Sequence, residues 1–296
     1  MKRFTKIMLV VTGILLILGV GFAASGAAMG GLFTSWEAVR TAGGLYPGKS
    51  IGDFGDWDEE DEEWEEAEVH HHDTQGQGGV GPVSAEGDAR FWEFDVPQEL
   101  EAELSCDELV MEPYEGAALK IQVEKDPDGL VTVRKKGNAV RVSSRSKKHK
   151  AKMIHIYYPQ GTSFHELDLT IMAGEASLEG EIAAREAEIS VGAGTLALKD
   201  SLTAEELDIT VGMGEASFAR IDAKKIQGEC GVGSLSLGAA GNEEDYDYDI
   251  QCGVGSIEIG GQEIGGIASE KSIDNHGERK IDLECGMGEI RVDFCG

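Results

Sequence analysis

Two kinds of metal-competent side chain recur at fixed places in the second half of this chain. Cys230, Cys252 and Cys285 each open a Cys-Gly-x-Gly turn, and three thiols can serve as metal ligands. Asp168, Glu188 and Asp208 stand three residues before the equivalent position of other copies. Carboxylates set one repeat apart suit calcium, which accepts many oxygens in flexible geometry. Asp249 and Asp282 continue this acidic column and Gln227 interrupts it, so a calcium bridge is expected among Asp168, Glu188 and Asp208. The competing reading is a solvated acidic face. For the thiols it is packing, because the same position holds Ile171, Val191 and Val211 in the other copies and a free cysteine packs as a small apolar residue. A disulfide between adjacent copies is disfavoured, since parallel strands set side chains about 4.8 Å apart, beyond the usual Cβ separation of a cystine.

These residues are positioned by a short unit written six times between Leu167 and Val292. Its closing glycines, Gly174, Gly194, Gly214, Gly233, Gly255 and Gly288, are 20, 20, 19, 22 and 33 residues apart. A period near 20 is the signature of a solenoid. Within one copy, Leu207, Ile209, Val211 and Met213 alternate with polar or small residues, as in a half-buried strand. After Gly214 the phase slips to Ala216 and Phe218. A slip at Gly-x-Gly implies a corner, because glycine reaches backbone angles that other residues avoid. The expected fold is therefore all-β: a single-stranded β-solenoid over 161–296, with the six glycines as structural corners. The glycines do not read as a phosphate cradle. No copy completes Gly-x-Gly-x-x-Gly, and the one full match, Gly76 to Gly81, precedes Pro82 without the strand and helix the motif needs.

The preceding chain divides into three. Residues 1–29 carry Lys2, Arg3 and Lys6 ahead of an uncharged stretch from Ile7 to Trp36, long enough to span a bilayer. One transmembrane helix is expected, with a cytoplasmic N-terminus and an extracytoplasmic head; a cleaved signal peptide is the alternative. Residues 30–87 read as a flexible linker, with eleven acids and no base between Asp53 and Glu68, a density that resists compaction. His70, His71 and His72 follow, but ligands on adjacent residues do not preorganise a metal site. Residues 88–160 alternate in short runs around Asp126-Pro-Asp-Gly129 and Lys136-Gly-Asn138, both with turn chemistry, which predicts a hairpin meander capping the solenoid's open edge.

Charge narrows the function. Of the 296 residues, 55 are Asp or Glu and 26 Lys or Arg, for a net charge of −29. That excludes a nucleic-acid partner, whose phosphates require a basic face. One stretch runs against it: Arg134, Lys135, Lys136, Arg141, Arg145, Lys147, Lys148, Lys150 and Lys152, with no acid among them. It reads as a solvated hairpin and loop, or as a contact for anionic polymer, lipid headgroups or the acidic linker.

Catalysis needs a singular cluster of acids and bases. Here the acids repeat copy after copy, and neither His-Glu-x-x-His nor Gly-x-Ser-x-Gly occurs. No enzyme and no cofactor beyond calcium is expected, a polysaccharide-active enzyme being the minor alternative. The run Ile154-His-Ile-Tyr-Tyr-Pro159-Gln-Gly161, then Leu167-Asp-Leu and the iterated Gly-x-Gly turns, resembles the bacterial surface proteins that share a β-strand repeat domain of unknown function and are named as candidate adhesins. The resemblance covers Phe91 to Cys295. It implies a β-solenoid head at the cell envelope, in some members near envelope-stress regulators, and no catalytic residues to carry over. Two functions are thus expected: an adhesin-like or scaffolding protein, membrane-anchored and contacting cell-wall polymer, or a sensory subunit acting through a membrane protein.

Overall fold

The computed structural model describes residues 65–66, 89–145, 151–264 and 268–296. The expected anchor at 1–29, the histidine run, and Lys147, Lys148 and Lys150 lie outside the described residues, as does all of the linker except Glu65 and Glu66. Among the described residues the protein is all-β, with nineteen strands and one 3-10 turn at Glu243–Asp245.

The centre is five strands: β8 (Ser163–Leu178), β9 (Glu181–Val191), β10 (Thr195–Leu198), β11 (Ser201–Val211) and β12 (Glu215–Cys230). All neighbours run parallel. β8 pairs with β9, β9 with β11, β11 with β12, β12 with β10, and β10 again with β8, so the five close into a barrel-like ring. This corrects the expected solenoid of independent single-stranded rungs. The sequence period marks each glycine corner as a break. Yet β8 runs through Gly174 unbroken and β12 turns between Phe218 and Ile221 while still paired. One long strand therefore contributes hydrogen bonds on both sides of a corner, and the ring closes.

The C-terminal strands correct it again. β13 (Ser234–Ala240), β14 (Tyr246–Cys252), β15 (Ser256–Ile259), β16 (Gln262–Glu263), β17 (Ser269–Ile273), β18 (Arg279–Cys285) and β19 (Glu289–Cys295) continue the sheet. The last copy, β18, inserts between the fourth, in β12, and the fifth, in β14. After Ile259, β16 folds back on β15, and β17 lies antiparallel to β14 at the outer edge.

The N-terminal strands are β1 (Glu65–Glu66), β2 (Arg90–Asp95), β3 (Glu99–Tyr114), β4 (Ala118–Glu124), β5 (Val131–Lys136), β6 (Ala139–Ser144) and β7 (Met153–Pro159). They do not form a hairpin meander set apart from the repeats. β3 lies parallel and in register with β8, Leu100 opposite Leu167 and Leu104 opposite Ile171. β6 and β7 pair parallel to its other side. Antiparallel strands finish this end too: β5 on β6, β4 on β7, β2 on β4 and β1 on β5. Antiparallel returns at both ends leave few parallel edge groups to recruit another chain.

Inward residues stack in columns. Leu104, Ile171, Val191, Val211, Cys230, Cys285 and Cys252 form one, each opposite the next and each buried. Burying each Leu or Ile stabilises the fold by roughly 1.5–3 kcal/mol. The corner glycines are required chiefly by close approach. A Cβ on Gly194 would lie 2.5 Å from the Gly174 carbonyl oxygen. Of the six closing glycines only Gly174 has a positive φ, 137°.

The expected single-pass membrane localisation is also corrected. No helix among the described residues is long and apolar enough to cross a membrane, and the segment on which that expectation rested lies outside them.

Candidate functional site

Three surfaces follow from the register. The first is acidic. Asp168 lies opposite Glu188, Glu188 opposite Asp208, and the row continues through Gln227, Asp282 and Asp249. The structure thus brings the three expected calcium-binding residues onto adjacent strands. Asp208 accepts a hydrogen bond from the Gln227 amide. Lys280 bridges Asp249 at 3.1 Å and Asp282 at 2.7 Å, and those two carboxylates hold its ammonium above the usual lysine range.

Sequence reasoning missed the other end of the row. Glu101 of β3 lies opposite Asp168, and Arg141 lies opposite Glu101. Arg141 donates to both Glu101 oxygens, at 2.7 and 2.9 Å. Beside them Glu103 is half-buried. Burial, then the charge of Glu101, pushes its carboxyl from the ordinary 4.5 up to about 8. The alternation Glu99-Leu-Glu-Ala-Glu-Leu104 was the available signal. It went unread because this strand turns at Ser105-Cys-Asp107 instead of Gly-x-Gly.

The basic stretch is dispersed. Arg134, Lys135 and Lys136 lie on β5, where Glu66 and Glu65 of β1 stand opposite Arg134 and Lys135. Arg141 is committed to Glu101. Lys152 is buried, its ammonium 2.7 Å from the equally buried Asp107. Asp107 also accepts from the Ser144 hydroxyl, and Lys152 donates to the Arg145 carbonyl at 3.1 Å. Asp107 stands opposite Gly174, so this ion pair occupies the corner position that glycine fills in the repeats.

The second surface is an apolar ridge on the corner apices. The apex N–H of Ala193 donates to Met172, that of Met213 to Gly192, of Val232 to Gly212, of Met287 to Gly231 and of Val254 to Gly286, all at 2.7 or 2.8 Å. These bonds line up Ala193, Met213, Val232, Met287 and Val254 on successive strands. Met213, Val232 and Val254 are 55%, 53% and 50% exposed. Met213 was expected to point inward by alternation. The phase breaks at Gly212 instead, which leaves it at the apex. At about 4.8 Å per strand the ridge runs roughly 19 Å.

The third surface is a shallow trough of about 390 Å³, floored by Val110, Ser177, Ala197, Ser217 and Ser236. Among the described residues no group of three or more His, Cys, Asp or Glu converges to hold a metal.

No protein-family model matches the chain, and no curated protein sequence matches it. Several solved structures are similar at low identity. A candidate cell-adhesion protein from Clostridium sporogenes is 13% identical, with 72% of this chain and 100% of that chain covered and a TM-score of 0.39. A candidate adhesin from Bacteroides fragilis is 16% identical, with 69% and 96% covered and a TM-score of 0.36. A candidate lipid-binding protein from Parabacteroides distasonis is 11% identical, with 71% and 98% covered and a TM-score of 0.42.

Proposed function

We propose that the protein is a non-enzymatic, adhesin-like or scaffolding protein that holds a partner at the bacterial cell envelope through its repetitive surfaces. The apolar ridge carries this reading. The exposed Met213, Val232 and Val254, set in one line of corner apices on a chain of net charge −29, have no role in the core. Contiguous apolar surface rimmed by polar residues marks a contact site. Repetition suits attachment, because many equivalent weak contacts along a row add up where one pocket would not. It suits catalysis poorly, since a reaction needs groups that converge on one point.

The test is attachment of the purified full chain to isolated envelope fractions, polymer and protein separately. The variant Met213→Ser/Val232→Ser/Val254→Ser should fold with an unchanged melting temperature and attach at least about tenfold more weakly, the loss of a few buried apolar contacts. Equal attachment by wild type and variant would refute the reading. So would release of new reducing ends from a panel of polysaccharides.

A further inference from the structure

Three free thiols stand side by side in the inward column. Cys230 lies opposite Cys285 and Cys285 opposite Cys252, so the three occupy adjacent strands although they are not in sequence order. All three are free and buried. Val191 and Val211 fill the same column on β9 and β11, so an apolar side chain would satisfy packing alone. The Cys252 thiol donates to the Gly255 carbonyl and the Cys285 thiol to the Gly288 carbonyl, both at 3.1 Å, so the ladder runs directly under the corners.

The roof over the ladder is thin. A Cβ on Gly288 would lie 2.6 Å from the Cys230 sulfur, and one on Gly255 would lie 2.7 Å from the Cys285 sulfur. The glycines therefore leave only backbone between each thiol and the corner surface, where Met287 adds a thioether to the same apex.

We propose that Cys230, Cys285 and Cys252 form a binding site for a soft monovalent metal ion of the Cu(I) or Ag(I) class, held in two-coordinate bridges between thiols of adjacent strands. Soft thiolates select such ions over hard ones. The spacing of about 4.8 Å between parallel strands is too long for a relaxed cystine but leaves room for one atom between two sulfurs. The three thiols stand in a row on adjacent strands, not round one point, which suits successive pairwise bridges better than the tetrahedral cage of zinc. One bridge takes one metal ion and two thiols to a bis-thiolate and two protons; with Cys285 shared by both bridges, two metal ions and three thiols give a two-metal, three-thiolate complex and three protons released to solvent.

The probe is Ag(I), which needs no reductant, added to the reduced full chain and followed by desalting and native mass spectrometry. The wild type should retain Ag(I), and Cys106→Ser/Cys295→Ser should retain as much. Cys285→Val should retain at least about tenfold less, because it removes the middle thiol and leaves Cys230 and Cys252 two strands apart, roughly 9.6 Å. Cys252→Val keeps the Cys230–Cys285 bridge and should retain about half. Alkylation mapping on the wild type needs no variant: Ag(I) should shield Cys230, Cys285 and Cys252 but not Cys106 or Cys295. Full retention by Cys285→Val, shielding confined to Cys106 or Cys295, or no retention by the wild type would overturn the proposal. So would a mass two protons lighter that disappears on reduction and maps to two of the three, since it would show a disulfide.

Discussion

Replacing Gly194 with alanine probes the corner stacking directly. The new Cβ would sit 2.5 Å from the Gly174 carbonyl oxygen, 2.9 Å from the Gly174 nitrogen and 3.2 Å from Ile171 Cγ2. Ordinary carbon–oxygen contacts begin near ~3.3 Å, so the two strands must part by roughly 0.8 Å. The contacting atoms are backbone, and no rotamer change can absorb the shift. The bond from the Ala193 N–H to the Met172 carbonyl, now 2.8 Å, would stretch past hydrogen-bond range. Losing one or two such bonds costs about 1 kcal/mol each, and overpacking adds about 1–3 kcal/mol. The restricted unfolded chain returns about 0.4–1 kcal/mol. The net cost is about 1–4.6 kcal/mol. For a folded unit of this size that lowers the melting temperature by roughly 2–18 °C. The assay is thermal unfolding by circular dichroism, with Ala197→Ser on the outward face as a control expected within about 0.5 kcal/mol of wild type. Gly212→Ala, whose Cβ would be 2.9 Å from the Gly192 oxygen, should fall between the two. A melting temperature for Gly194→Ala at or above wild type would refute the close-approach argument.

Three further outcomes are expected. Lys152→Met should cost about 3–5 kcal/mol in urea unfolding because it strands the buried Asp107 carboxylate, and adding Asp107→Leu should recover most of that; a single variant as stable as wild type would show the pair to be dispensable. Glu103 has its folded pKa raised to about 8 from the ordinary 4.5, so the folded state holds the extra proton between those values. Its stabilising contribution is complete below pH 4.5 and is lost as pH rises through about 8; Glu103→Gln should flatten that part of the stability profile, and an unchanged slope would place the proton elsewhere. For the acidic row, millimolar calcium should raise the melting temperature relative to chelator at matched ionic strength, and Glu188→Gln, the middle carboxylate, should abolish the rise. Equal melting temperatures would leave the row a solvated face.

The sequence by itself determined the local periods. Alternation and the recurring Gly-x-Gly placed the repeat strands, their inward columns and the outward acids Asp168, Glu188 and Asp208. It did so because those features depend only on the two-residue period of a strand and on which side chains tolerate water. It could not show which copies become neighbours. Pairing is a non-local choice, and the insertion of β18 between β12 and β14 needs the excursion through β16 and β17 to bring the chain back. Nor could a period report that β8 and β12 stay paired around their corners, which closes a ring where independent rungs were expected. β3 was missed as a member of the stack because its corner is the Asp107–Lys152 ion pair instead of glycine, a substitution that makes sense only once Lys152 arrives from 45 residues away. The apex position of Met213 was decided the same way. Alternation carries a residue inward until the backbone turns, and where the backbone turns is set by the strand stacked beneath it.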